Sequence, residues 1–84
     1  MRRLNLIGRK VGQLRYQRGW TQDMLAAKLQ LGGWMISRSS ISRMESEQKP
    51  VYDFQLFIIA DVFKVEMTTL LPKAGFLSGI YGLK

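Results

Sequence analysis

The 84-residue sequence predicts one small all-α domain made of five short helices. Apolar residues recur three and four positions apart along most of the chain, and N-capping residues or glycines separate these stretches. The hydrophobic share of 46% is typical of a globular chain and argues against global disorder. We expect the helical domain to span residues 1–72, with residues 73–84 as a tail.

The first helix is predicted from about residue 5 to residue 18 by four apolar residues at helical spacing, Leu4, Ile7, Val11 and Leu14. Gly19 follows it and can take the left-handed conformation that ends a helix. Trp20 then precedes the next N-cap, where it can pack on Leu25 as a hydrophobic staple.

The second helix is predicted to begin after the N-cap Thr21 and to end near Gln30 or Leu31. The connection that follows, residues 32–36, opens with two glycines, which stop a helix. It also contains two large apolar side chains that we expect to fold back on the core, Trp34 and Ile36.

The third helix is predicted to begin after the N-cap Ser37, to bury Ile41 and Met44, and to end near Glu47 or Gln48. On a helical wheel the opposite side is an arc of roughly 100° that holds Ser39, Ser42, Arg43 and Ser46, with Arg38 at the N-terminal end. Small serines allow a close approach of the backbone, and arginine can bind the O6 and N7 atoms of guanine. The pattern is typical of the helix-turn-helix, which places its second helix in the major groove of DNA. A plain solvated surface is the alternative, although such surfaces usually carry Glu and Lys.

The fourth helix is predicted to open at Tyr52 or Asp53, with an inner side formed by Leu56, Ile59, Ala60 and Phe63. A last helical turn follows at residues 67–71. The tail contains four apolar residues that we expect either to contact a second copy of the chain or to pack on their own domain, Phe76, Leu77, Ile80 and Tyr81.

The charge balance points to an anionic partner. Thirteen Lys and Arg residues against six Asp and Glu give a net charge of +7, and residues 1–20 contain six basic residues and no acid. Nucleic acid is therefore the first partner to consider and an anionic membrane the second. Charge alone is equally compatible with a solubilising surface.

Several classes of protein are excluded or disfavoured by composition. The sequence has no His and no Cys, the six acids are scattered, and no glycine-rich phosphate loop is present. We therefore expect no enzyme activity, no cofactor and no metal. The sequence gives no indication of a pocket for a small-molecule effector. No apolar run approaches the roughly 18 residues of a membrane span, and no signal peptide is evident, so we expect no membrane partner. The absence of Cys fits a reducing compartment, and we expect a cytoplasmic location of bacterial or phage type.

For three polar residues outside the serine-rich arc we also predict contacts with a ligand or with another helix. Gln22 lies in the first turn of the second helix, where it can bind a phosphate or simply remain exposed. Arg15 and Glu45 each lie roughly 60–70° from the apolar centre of their helices, which places both at the border of the core. We predict an ion pair between them that orients the third helix on the first; the alternative is that both face water.

Three stretches of the chain together resemble the lambda-repressor-like (Cro-type, or XRE) helix-turn-helix family over roughly residues 6–72, namely IGRKVGQLRYQRGWTQDMLAAKL, ISRSSISRMESEQKPVYDFQL and IADVFKVEMTTLL. The resemblance implies a compact five-helix DNA-binding domain of a transcriptional regulator, most often a repressor. It implies a homodimer on double-stranded DNA, which also follows because one short helix reads too few bases.

The resemblance also implies roles for single residues. Gln22 matches a phosphate-contacting position, and Arg38, Ser39 and Arg43 match positions that tend to meet bases. Three serines match positions at the DNA backbone or at the groove edge, Ser37, Ser40 and Ser46. Arg15 and Glu45 match an internal ion pair of the family.

The sequence departs from the family in two places. The connection between the second and third helices is several residues longer than the usual turn, and Glu47 occupies a position where the family often has glycine. We therefore expect the third helix to continue further or to be capped differently.

Two other functions remain open from the sequence. The first is the antitoxin or adaptor half of a protein pair, for which DNA binding would be secondary. The apolar tail and residues 32–36 are the features that would support this function. An RNA or membrane-surface binder is the third possibility, and it rests on charge alone.

Overall fold

The computed structural model describes residues 3–73, which form five helices and contain no strand. The helices are α1 (Gly8–Gln17), α2 (Gln22–Leu31), α3 (Arg38–Glu45), α4 (Asp53–Phe63) and α5 (Met67–Leu70). The predicted all-α, five-helix fold class is thus confirmed. The expectations for the tail fall outside the described residues.

The first helix starts at Gly8, so the predicted start near residue 5 is wrong. The side chain of Asn5 accepts hydrogen bonds from the backbone N–H groups of Ile7 (3.0 Å) and Gly8 (2.8 Å), and this turn takes the place of a helical one. Leu4, which the periodicity assigned to the inner face, is 45% exposed for the same reason.

The junction between α1 and α2 is built from local signals that the sequence displays. Gly19 has a φ of 70° and ends α1, while the Thr21 hydroxyl accepts a hydrogen bond from the Met24 N–H at 3.0 Å. Trp20 lies between them and stacks on Phe63 of α4, with ring centroids 5.1 Å apart. The contact between Trp20 and Phe63 therefore joins this junction to the C-terminal end of α4.

The long connection between α2 and α3 is anchored on the core, as predicted. Ile36 is only 4% exposed, and Trp34 is half-buried against the core. The Gln30 amide donates a hydrogen bond to the Ile36 carbonyl at 3.1 Å, and the Trp34 N–H donates to the Leu29 carbonyl at 2.9 Å. These contacts define where α3 begins although the turn is long.

The third helix ends at Glu45, two or three residues before the predicted end. Glu47 then takes the left-handed conformation, with a φ of 65°, at the position where the resemblance expects glycine. A side chain in this conformation costs about 1–2 kcal/mol. The Glu47 carboxylate is nearly buried and lies 3.5 Å from the Arg3 Nε and 3.6 Å from the Arg9 Nε, which offsets that cost.

A single cluster of buried apolar side chains joins the five helices across the described chain: Ile7, Val11, Leu25, Ala26, Leu29, Ile36, Ile41, Met44, Ile59, Ala60, Phe63 and Leu70. Burying one large apolar side chain contributes about 1.5–3 kcal/mol. Because Ile41 and Met44 belong to this cluster, the core determines which side of α3 is buried.

The N-terminus of α1 lies directly against the C-terminus of α3. A Cβ atom added to Gly8 would collide with the Met44 carbonyl oxygen and would lie 2.9 Å from that of Glu45. A Cβ added to Gly12, one turn later, would meet the Glu45 carboxylate at 3.6 Å, an ordinary contact. Only a glycine at position 8 allows the two helices to approach this closely.

We expect Gly8→Ala to lower the free energy of unfolding by about 2 kcal/mol or more, because backbone atoms must move to admit the methyl group. Gly12→Ala is the matched control, since it adds the same group to the same helix without a clash. It should leave stability unchanged or raise it by up to about 1 kcal/mol. Urea unfolding of the two variants measures the difference, and equal effects would contradict the close approach.

Candidate nucleic-acid interface

The outer side of α3 is polar, exposed and built on a buried apolar side. Ile41 and Met44 are fully buried, whereas Ser39, Ser42 and Arg43 are exposed. Ser37 starts the helix by accepting a hydrogen bond from the Ser40 N–H at 3.2 Å. The serines and arginines of the helix face outward because its apolar side is buried in the core.

An open concavity of about 640 Å³ lies where the first turn of α2 meets this outer side. Six of the side chains singled out from the sequence surround it: Gln22, Ser37, Arg38, Ser39, Ser42 and Arg43. Gln22 comes from α2, so the fold gathers residues that are separate along the chain. Ser40 and Ser46 do not line the concavity.

The serine hydroxyls at the start of α3 form a connected group. The Ser37 Oγ lies 3.1 Å from the Ser39 Oγ and donates to the Ser40 Oγ at 3.2 Å. Ser46 differs from them, since its hydroxyl donates to the carbonyls of Ser42 and Arg43 at 3.0 and 3.1 Å. Because its hydrogen is used within the helix, Ser46 has only acceptor capacity for a partner outside.

The concavity is positively charged. Arg38 and Arg43 are both exposed, and neither takes part in an ion pair between residues 3 and 73. None of the six lining residues is an acid. Two unpaired guanidinium groups in a shallow depression attract an anion and offer planar, bidentate donors to it.

Arg15 of α1 and Glu45 of α3 form a two-point ion pair beneath this surface. The Arg15 Nε lies 2.7 Å from the Glu45 Oε2, and the Arg15 Nη2 lies 3.0 Å from the Oε1. A third donor, Nη1, binds the Trp20 carbonyl at 2.8 Å. The hydrogen bond with Glu45 raises the pKa of Arg15, although partial burial acts in the opposite direction, so the guanidinium stays charged.

Glu45 also binds Gln22, a contact that sequence reasoning missed. The Gln22 Nε2 donates to the Glu45 Oε1 at 3.2 Å, so one carboxylate joins α1, α2 and α3. The side-chain oxygen of Gln22 has no protein partner within residues 3–73. Gln22 is therefore held at the rim of the concavity by its nitrogen, with its oxygen and one N–H available.

Asn5 is the second residue that sequence reasoning missed. Its amide is buried and donates to the carbonyls of Met44 (3.0 Å) and Lys49 (2.8 Å), in addition to the two hydrogen bonds it accepts ahead of α1. An Asn whose side chain accepts from backbone N–H groups two and three residues later forms a common local turn, which a sequence can suggest. Nothing in the sequence, however, indicates that its nitrogen ties down the C-terminal end of α3.

Comparison with known proteins gives one match. A family model described as helix-turn-helix matches residues 11–70, which include the whole of α2, the connection and α3. No curated protein and no solved structure matches the chain. Among the described residues no group of acids is placed to hold a metal ion. None of the helices described between residues 3 and 73 is long and apolar enough to cross a membrane.

We expect Glu45→Ala to destabilise the fold by about 2 kcal/mol, because it removes charge-assisted hydrogen bonds and leaves Arg15 half-buried without its partner. Asp61→Ala is the control, since the pair of Asp61 and Lys64 is exposed and its atoms are 3.8 Å apart. That variant should stay within about 0.5 kcal/mol of the parent. Urea unfolding of both variants is the measurement, and an equally small loss for Glu45→Ala would show that the pair adds no stability.

Proposed function

Because the chain belongs to the Cro-type, lambda-repressor-like helix-turn-helix family of DNA-binding domains, we propose that it is a transcriptional regulator that binds a specific double-stranded DNA sequence and represses transcription. The observation that carries this proposal is the exposed Ser/Arg side of α3, whose two arginines form no ion pair within residues 3–73. It is positioned by a buried apolar side and by the ion pair of Arg15 and Glu45.

In the proposed complex α3 enters the major groove. Arg38, Ser39 and Arg43 meet base edges, because they project from the exposed side near the start and middle of the helix. The serines at the helix ends, Ser37, Ser40 and Ser46, lie at the DNA backbone or the groove edge. Ser42 stands between the base-reading residues and lets the helix backbone come close to the DNA.

The first turn of α2 then lies over the sugar-phosphate backbone. The free N–H of the Gln22 amide donates to a phosphate oxygen while Glu45 holds the other hydrogen. Such a contact positions α3 without reading sequence, because every nucleotide has the same phosphate.

We propose further that the protein binds as a homodimer on a two-fold site, because one eight-residue helix contacts few base pairs. The exposed aromatic side chains of α4 support this: Phe54 is 62% and Phe57 is 65% exposed, next to Tyr52 at 58%. Apolar groups clustered in this way usually mark a contact surface.

Selection from random DNA duplexes with the purified protein tests the DNA-binding proposal. We expect enrichment of one two-fold symmetric sequence and an affinity for it that falls steeply with salt, as phosphate contacts require. The double variant Arg38→Ala/Arg43→Ala should fold and lose the enrichment, while Lys64→Ala should keep it. A reporter gene whose promoter overlaps the selected site distinguishes repression from activation.

Two results would contradict the proposal. Equal binding to all duplexes, to RNA and to anionic vesicles would indicate that charge alone drives binding by this protein. A tightly bound protein partner that covers the outer side of α3 would indicate an adaptor or antitoxin instead.

We expect Phe54→Ser/Phe57→Ser to weaken self-association, because the substitutions remove two exposed rings from the proposed contact. Sedimentation should show a shift to monomer, with binding to the two-fold site at least tenfold weaker and binding to an isolated half-site unchanged. Tyr16→Ser is the control, since Tyr16 is 82% exposed on α1. A dimer that persists in the double variant would place the contact elsewhere.

A further inference from the structure

The geometry points to guanine as the base that this surface reads: we infer that each half-site carries two guanines, one bound by Arg38 and the other by Arg43. The inference rests on the proposed function, since it specifies the DNA bound by the same surface. It depends on which donors and acceptors the fold leaves free around the concavity.

The free hydrogen-bonding groups of the concavity are mainly donors. Its lining consists of two arginines, three serines and Gln22. Guanine is the base that presents two acceptors, O6 and N7, to the major groove, and arginine satisfies both at once. The serine hydroxyls can donate or accept and therefore discriminate little between bases.

The groups that would read cytosine and adenine are absent from the lining or engaged elsewhere. Cytosine is read by a carboxylate that accepts from its N4 amine. The carboxylate nearest this surface belongs to Glu45, whose Oε1 accepts from both Arg15 and Gln22 and whose Oε2 accepts from Arg15. Adenine is read by an amide that accepts from its N6 amine and donates to its N7. Gln22 is the amide at the rim, but Glu45 holds one of its N–H groups and the proposed complex assigns the other to a phosphate, so it lacks the free donor that adenine requires.

Both arginines keep enough donors for a two-point contact with a base. Arg38 has no ion pair within residues 3–73. The Arg43 guanidinium makes only a long contact there, 3.5 Å from its Nη2 to the Ser40 Oγ. A guanidinium has five N–H donors, so Arg43 can keep this contact and still bind O6 and N7.

The positions of the arginines indicate two separate guanine contacts. Arg38 and Arg43 are five residues apart, which is about 7.5 Å along the helix axis and about 140° around it, at about 1.5 Å and 100° per residue. The two guanidinium groups therefore flank the exposed side, with Ser39 and Ser42 between them. The bases between the two guanines should be less strictly specified.

The test compares DNA sequences selected by the full chain and by four single variants. The variants Arg38→Gln and Arg43→Gln remove the donor pair that binds guanine and supply an amide that suits adenine. We expect the parent to select two guanine positions and each Gln variant to lose one of them, with the preference for guanine there falling about tenfold or more. Lys64→Gln is the control and should select the parent sequence.

The variants Arg38→Lys and Arg43→Lys separate base reading from phosphate binding. Lysine keeps the charge but not the planar pair of donors, so the guanine preference should fall while the salt dependence stays close to that of the parent. If both Lys variants selected the parent sequence unchanged, the arginines would be phosphate contacts and the inference would be wrong.

The outcomes also distinguish this inference from the proposed function. A parent protein that selects a defined sequence in which neither Gln substitution alters a guanine position would overturn the inference alone. A parent that enriches no sequence would overturn the proposed function, and the assignment of guanine with it. Because Arg38 and Arg43 are exposed, the variants are expected to fold, and urea unfolding verifies this.

Discussion

The position of α3 depends on one carboxylate. Glu45 accepts two hydrogen bonds from Arg15 of α1 and one from Gln22 of α2, so three helices meet at a single side chain. The apolar contacts of Ile41 and Met44 bury one side of α3, but apolar packing is not directional. The charge-assisted hydrogen bonds are directional, and they define the rotation of α3 relative to the first turn of α2.

A second set of constraints holds the C-terminal end of the same helix. Gly8 lets the backbone of α1 approach the carbonyls of Met44 and Glu45, and the buried Asn5 amide donates to the Met44 carbonyl from the segment ahead of α1. Glu47 ends the helix in a left-handed conformation that its pairing with Arg3 and Arg9 stabilises. The helix that faces outward is therefore fixed at its C-terminal end by residues that do not face outward.

The distribution of charge follows from this arrangement. Glu45 and Glu47 lie among basic side chains inside the fold, whereas the acids of α4 lie near its exposed aromatic rings. The arginines of α3 are left without acidic partners among the described residues. Two chemically distinct surfaces result, one positively charged and rich in donors, the other aromatic, and they suit the proposed contacts with DNA and with a second copy.

Local signals in the sequence were enough to predict the five helices, the caps at Thr21 and Ser37, the turn at Gly19, and the inner side formed by Ile41 and Met44. They were enough because capping and helical periodicity involve residues within a few positions of one another. The helical wheel likewise placed Arg15 and Glu45 beside the core. The left-handed conformation of Glu47 and the hydrogen bond between Gln22 and Glu45 were decided by tertiary structure alone. The start of α1 follows from the local turn of Asn5, which helical periodicity does not register. Asn5 and Gln22 bind partners 39 and 23 residues away, and such contacts exist only once packing has brought the helices together.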